Sequence, residues 1–126
     1  MEQEKGIIFY HEKLDVYQNS VKFISWLTEI LDNINYNRNI IDQIDRASIS
    51  LILNIAEGNG KTSAKDHNRF IEIARGSAME CAACLDIMFA KHLIEKQKVY
   101  EGKQMLLSIV KMLYKLSNSI LNKDKN

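Results

Sequence analysis

Between Gln43 and Glu57 the chain reads QIDRASISLILNIAE, and its polar positions are gathered almost entirely on one strip. At 100° per residue, Gln43, Arg46, Ser50, Asn54 and Glu57 fall within an arc of roughly 80°. After the first turn nearly all the rest is apolar: Ile44, Ala47, Ile49, Leu51, Ile52, Leu53, Ile55 and Ala56. A surface helix ordinarily carries a polar face about as wide as its apolar one. This pattern predicts a helix covered on most of its sides. A bundle of 126 residues barely supplies that cover, so a second chain is expected to provide part of it.

Three further helical patterns flank this one. Leu14, Tyr17, Val21, Ile24, Leu27, Leu31 and Ile34 recur at three- and four-residue spacing, which predicts a helix over 12–34 with those residues inward. The Asn-rich segment 35–39 breaks it, since Asn favours turns and caps. The second helix is expected to start near Ile40 with Asn39 as N-cap and to end at Gly58 and Gly60. Asp42 and Asp45 lie in its first turns, where the helix dipole favours negative charge.

A third helix follows Ser63, which with Asp66 three residues on resembles a capping box. Its main stripe is Phe70, Ala74, Ser77, Cys81, Leu85 and Met88. A second stripe holds Ile73, Gly76, Ala83 and Ile87. Two stripes imply two sets of neighbours, and the small residues allow close approach of another helix. After a break near His92 and Leu93, a fourth helix over 95–121 turns Val99, Leu106, Ile109, Val110, Leu113, Leu116 and Ile120 inward. Short links between long helices predict an all-α, antiparallel up-down-up-down four-helix bundle, with residues 1–126 as one domain.

Composition agrees with long helices. Pro is absent and Gly numbers five, so helix breakers are scarce. No apolar run approaches the ~20 residues that span a bilayer. The opening MEQEKGIIFYHEKL has no basic region followed by a long apolar stretch. The expectation is a cytoplasmic protein without membrane contact.

The net charge of +1 is unevenly spread. Residues 1–45 carry 4 Lys/Arg and 8 Asp/Glu, a net of −4; residues 91–126 carry 8 Lys and 3 acids, a net of +5. Lys96, Lys103, Lys111 and Lys115 share the side of the fourth helix opposite its apolar stripe. A solvated face is the ordinary reason for such lysines. Contact with nucleic-acid phosphates is the functional alternative, strengthened if assembly multiplies the patch.

Several polar residues need partners. Glu57 sits at a helix C-terminus, facing the negative end of the dipole. If buried it needs a cation, for which Arg46, Arg69 and Arg75 are the candidates. Gln43, Asn54, Ser50 and Glu80 belong with them in an expected polar network that fixes the register of helices or subunits. A carboxylate and an arginine without a nucleophile or oriented base make no reaction, so no catalytic residue is assigned and an enzyme is not expected. Cys81 and Cys84 form C-x-x-C, but in mid-helix and on the apolar stripe. No second Cys pair is present, and His11, His67 and His92 show no ligand spacing. Core packing is the expectation, with no metal and no cofactor. Trp26, at the edge of the first stripe, fits core or interface.

Leu14-Asp15-Val16-Tyr17, Gln43-Ile44-Asp45-Arg46-Ala47 leading to Ser50 and Asn54-Ile55-Ala56-Glu57-Gly58, and then Phe70 with Ala74-Arg75-Gly76-Ser77 and Glu80, form a recognisable set. Together they resemble the four-helix-bundle family named for proteins encoded in the intervening sequences of bacterial 23S ribosomal RNA genes. One departure is Leu51-Ile52, where that family usually has Ile-Pro. The resemblance implies a ring-like homopentamer of four-helix protomers around a central channel. The family also includes the accessory variability protein of diversity-generating retroelements, which binds a reverse transcriptase and its RNA. The expected function is therefore a non-enzymatic oligomeric scaffold or adaptor. The alternative is an accessory factor that binds RNA or DNA, acting on ribosomal RNA or with a reverse transcriptase.

Overall fold

The structure is a computed structural model that describes residue 6 and residues 8–125, with side chains described through residue 123. Four helices carry the chain: α1 (Asp15–Asp32), α2 (Arg38–Asn59), α3 (Ala64–Ala90) and α4 (Lys96–Lys125), preceded by a single 3-10 turn at Tyr10–Lys13. No strand occurs among the described residues. The fold is all-α.

The first helix begins at Asp15, three residues later than its periodicity predicts. Glu12 is drawn into the preceding turn, where its carboxylate accepts hydrogen bonds from the amides of Ile8 at 3.0 Å and Phe9 at 2.5 Å. Those two bonds hold the Glu12 carboxyl below its ordinary pKa. Leu14 is extended, so α1 starts only after it. The buried face of α1 also differs from the expected stripe: Val16, Ser20, Phe23 and Leu27 point inward, and Val21 stands outside. Ser20 tolerates this because its hydroxyl donates to the Val16 carbonyl at 2.8 Å, so burial strands no polar group.

Asn37 rather than Asn39 precedes α2, in the left-handed conformation with φ 61°. From there α2 runs unbroken through Leu51-Ile52 to Asn59. Gly58 therefore lies inside the helix instead of ending it. Its role is close approach: an added Cβ would sit 2.8 Å from the Phe70 Cβ and 3.2 Å from the His67 carbonyl oxygen. Ser63 caps α3 as expected, its hydroxyl accepting from the Asp66 amide at 3.1 Å. The far end of α3 closes with His92 at φ 63° and the Leu93 amide reaching back to the Met88 carbonyl at 2.9 Å, a Schellman-type stop with His in place of the usual Gly.

The core is filled by Phe23 and Leu27 from α1, Ile44, Leu51 and Ile55 from α2, Ile71, Cys81, Leu85 and Met88 from α3, and Leu106, Ile109 and Leu113 from α4. Each large apolar side chain buried there contributes about 1.5–3 kcal/mol. The most extensive packing joins α3 to α2 and to α4. Contacts step down one helix as they step up its neighbour. Gln43 meets Glu80 and Ser50 meets Ser77. Across the other seam, Asp86 meets Lys103 and Asn68 meets Ser117. Trp26 closes α1 onto α4. Its ring packs against Phe23 at 5.7 Å, its indole N–H donates to Glu101 at 3.4 Å, and its edge lies over Gly102.

Candidate functional site

The polar strip of α2 lies along its seam with α3, and the structure divides it into two connected groups. In the first, the Gln43 amide donates to the Glu80 carboxylate and the Arg46 guanidinium donates to the Gln43 side-chain oxygen at 3.0 Å. In the second, the Ser50 and Ser77 hydroxyls meet at 2.9 Å, and the Asn54 amide donates to the Ser50 carbonyl at 2.8 Å and its hydroxyl at 3.1 Å. Ser77 completes this group and is buried. Its place on an otherwise apolar stripe, opposite a second serine, was the only signal in the sequence.

Glu57, Arg69 and Arg75 lie outside both groups. The Glu57 side chain is 58% exposed and meets Lys61 one turn away at 4.0 Å, so within the chain it is paired with none of the three arginines. The seam runs on past it to Gly58, which is pressed against α3, while the Glu57 side chain points away from the seam. Arg69 lies over the Phe70 ring at 4.5 Å. Arg75 binds Glu72 at 2.9 Å and lies over Tyr114 at 5.6 Å, on the side of α3 that faces α4.

Around the strip, large apolar side chains stay uncovered. Ile49 is 44% exposed, Leu53 59% and Ile73 41%. Gly76, one turn from Ile73 on α3, has nothing within 4 Å of an added Cβ. The second stripe of α3 therefore has no partner inside its own chain.

On its opposite side α3 forms an apolar groove with α4 of about 370 Å³, floored by Ala82, Leu106 and Val110 and bordered by Met79 and Leu107. Met79 and Leu107 are also exposed. Sequence periodicity missed this groove, because Leu107 and Met79 fall just off the inward stripes. The four lysines of α4 do not gather at one point. Lys103 binds Asp86 at 2.6 Å across the mouth of the groove. Lys111 and Lys115 border a shallow depression beside Leu107, and Lys96 stands at the helix start.

The sulfur chemistry is closed. Cys81 is fully buried, and its thiol is pushed up to about 12, by burial first and then by Cys84 and Glu80. Burial likewise raises the Cys84 thiol. A thiol held protonated at neutral pH is neither a nucleophile nor a ready metal ligand. Among the described residues no group of three or more His, Cys, Asp or Glu is placed to hold a metal ion, and no helix is long and apolar enough to cross a membrane. What the arrangement offers is surface: a hydrogen-bonded strip, an apolar ridge around it, and an apolar groove on the adjoining side.

Comparison with known proteins finds a family and a solved structure to which the chain is similar. The family described as "23S rRNA-intervening sequence protein" matches residues 12–115. A crystal structure of a protein of unknown function from the S23 ribosomal protein family of Bacteroides thetaiotaomicron superposes with a TM-score of 0.73, covering 81% of this chain and 97% of that one. At 21% identity that likeness is one of fold. No curated protein matches the chain.

Proposed function

The chain belongs to the 23S rRNA-intervening sequence protein family, and from that premise we propose that it acts as the subunit of a homo-oligomeric scaffold with no catalysis of its own. The observation that carries this is the uncovered apolar surface of α2 and α3, with Ile49 and Leu53 exposed on α2 and Ile73 exposed one turn from the open Gly76 on α3. A chain that leaves those side chains in water forgoes roughly 25 cal/mol for each Å² of apolar surface that a partner would cover. Exposed apolar patches rimmed by polar groups mark interaction sites. An up-down-up-down course of the four helices accounts for the residue pairs along both seams of α3. The five-membered ring follows from the family resemblance. The hydrogen-bonded groups at Gln43–Arg46–Glu80 and Ser50–Asn54–Ser77 then set register at the edge of the contact.

A second reading has its own observation, the basic α4. Lys96, Lys111 and Lys115 face outward, and a ring repeats them; such a surface suits RNA, free or held by a partner such as a reverse transcriptase. Lys103 supports it less, being tied to Asp86.

Light scattering coupled to size exclusion at low salt, with absorbance read at 260 and 280 nm, tests both readings. A mass near five chains without nucleic acid is the expected result. Excess absorbance at 260 nm that is lost between 50 and 200 mM salt would move the RNA reading to first place. A monomer at all concentrations would overturn the scaffold.

A further inference from the structure

Where the link between α2 and α3 passes the last turns of α4, a pocket of about 280 Å³ opens to the surface. Its floor is apolar, formed by Leu14, Leu116 and Ile120. Its polar side holds three basic side chains from three places: Lys61 from the link, His67 from the first turns of α3 and Lys123 from the end of α4. Thr62, Ser63 and Ser119 add hydroxyls. Among the described residues no carboxylate lines the pocket. Ser119 and Lys123 also border an adjoining depression, where Lys115 is a further cation and again no described carboxylate stands. The pocket shares no lining residue with the groove beside Met79 and Leu107.

His67 marks this pocket as unfinished. Its Nε2 is shut off from water and has no hydrogen-bond partner, and an unpaired buried nitrogen is costly. Burial, and then the charge of Lys123, keep the ring neutral at pH 7. Lys61 stands on the other side. It reaches Glu57, outside the pocket, only at 4.0 Å, longer than a hydrogen bond, and lies over the Phe70 ring at 5.0 Å. The remaining ionisable neighbours are Tyr10, which borders the pocket from the 3-10 turn, and Asp66, next to His67 on α3 but not in the lining. The positive end of the α3 dipole, at Ala64 on the rim, has the same sign as the lysines. Low-dielectric walls strengthen the field of these charges on anything that enters.

We infer that this pocket binds a doubly charged tetrahedral oxyanion, a phosphate group, held between Lys61, His67 and Lys123. The two ammonium groups supply charge from two sides, the imidazole supplies a third donor, and the hydroxyls reach the oxygens left over. Donors from three elements suit an anion with four oxygens better than a carboxylate with two. The size agrees: the volume lies below the range that holds drug-sized ligands. It takes inorganic phosphate, or the phosphoryl end of a larger molecule whose remainder extends over exposed Tyr10. Every residue of the site comes from one chain, so the inference is independent of assembly.

Sulfate is the first probe, because it keeps both charges across the range in which histidine titrates. Titrated by calorimetry into the full chain at constant ionic strength against chloride, it is expected to bind saturably, at millimolar concentration or below. A bound anion favours the imidazolium, so the His67 pKa read from its ring proton resonance should rise, while that of His92, at the far end of α3, should not move. Affinity for sulfate should then increase as pH falls, and His67→Gln should bind sulfate with that dependence gone. Lys61→Gln/Lys123→Gln changes two exposed residues; it should keep its helical circular dichroism and bind sulfate at least tenfold more weakly. Inorganic phosphate, uridine monophosphate and uridine separate the sources. Uridine monophosphate binding more tightly than inorganic phosphate, with uridine not binding, assigns the phosphoryl end of a larger molecule; inorganic phosphate binding as tightly or more tightly assigns the free ion. The absence of saturable binding by both sulfate and phosphate, equal binding by the double lysine variant, or a His92 shift as large as that of His67 would overturn the site, and each would leave the scaffold reading untouched.

Discussion

A methyl group added at Gly58 would lie 2.8 Å from the Phe70 Cβ, and one at Gly102 would lie 2.6 Å from the Trp26 ring; one added at Gly76 would meet no atom within 4 Å. All three glycines are inside helices, where each costs about 1 kcal/mol relative to Ala. At Gly58 and Gly102 the cost is offset by packing that a side chain would prevent, α2 against α3 and α1 against α4. At Gly76 nothing in the same chain offsets it. In the Asn-Ile-Ala-Glu-Gly segment, Ile55 and Gly58 are thus explained by the interior of one protomer, and Glu57 is not. The Ala-Arg-Gly-Ser segment is explained only in half, through Ala74 and Ser77, which are buried. The residue left over is Gly76, one turn from exposed Ile73. Inner seams and outer face obey the same packing rule with different partners.

Gly58→Ala gives the largest expected effect. The obstructing atoms are a Cβ and, at 3.2 Å, the His67 backbone oxygen, neither of which can swing aside. Overpacking of about 1–3 kcal/mol is expected to outweigh the gain in helix preference, read as a lower urea midpoint at constant m. Gly102→Ala follows. Its obstacles are the edge of Trp26 at 2.6 and 2.9 Å and the tip of Leu85 at 2.7 Å, which can yield by turning. A loss of about 1 kcal/mol is expected, with a shift in Trp26 fluorescence as the ring moves off Glu101. If either variant melted like the wild type, the inner seams would be looser than these distances, and the contrast with Gly76 would lose its meaning.

His67 borders the Gly58 contact and sharpens the picture of that seam. Its Nε2 is buried without a hydrogen-bond partner. Burial, and then the charge of Lys123, hold its pKa below the ordinary 6.5. The unfolded chain therefore takes up a proton at His67 before the folded one does, and stability falls as pH drops through about 6.5. The melting temperature is expected to decline between pH 7.5 and 5.5, and His67→Gln should remove part of that decline. An equal decline in the variant would place the acid sensitivity elsewhere.

Helix number and the break between α3 and α4 were legible in the sequence because long apolar stripes leave little ambiguity. The face of α1 was not: Ser20 reads as surface, yet a bond to its own backbone lets it be buried, and that turns Val21 outward. The exposure of Glu57 within the single chain was not legible for a related reason. Its neighbours in sequence are apolar, which implies burial, but some of them face the core and others face out of the chain. Periodicity shows that a helix has apolar sides; it does not show whether the cover belongs to the same chain. The burial of Cys81 was legible, since its place on the main stripe of α3 outweighed the C-x-x-C spacing, and Cys84 is buried beside that stripe. The groove beside Leu107 and Met79 was not, because it exists only where two helices diverge.

Gly76→Ala inverts the result at Gly58. In a monomeric background, such as an Ile49→Glu/Leu53→Glu chain shown to be monomeric, it is expected to stabilise by up to about 1 kcal/mol through helix preference alone. In the wild-type background the same methyl enters space left for a neighbouring helix, and the oligomer should dissociate at higher protein concentration than the wild type. Stabilisation in both backgrounds would show that nothing approaches Gly76 in the assembly.

Glu57→Ala is expected to have the smallest effect. A pair with Lys61 at 4.0 Å, with the carboxylate 58% exposed, contributes about 0–1 kcal/mol. Glu57 also faces the negative end of the α2 dipole, so its removal relieves as well as costs. In a monomeric background the urea midpoint should hardly move. The assembled wild type separates two possibilities that the single chain does not. If a lysine of a neighbouring copy approaches Glu57 at the surface, the substitution weakens assembly modestly and the weakening disappears at high salt. A loss of about 3 kcal/mol or more that survives high salt would mean that assembly buries Glu57 against a cation, as a stranded charge costs that much. Arg46 or Arg69 of the neighbouring copy would then be its partner across the contact.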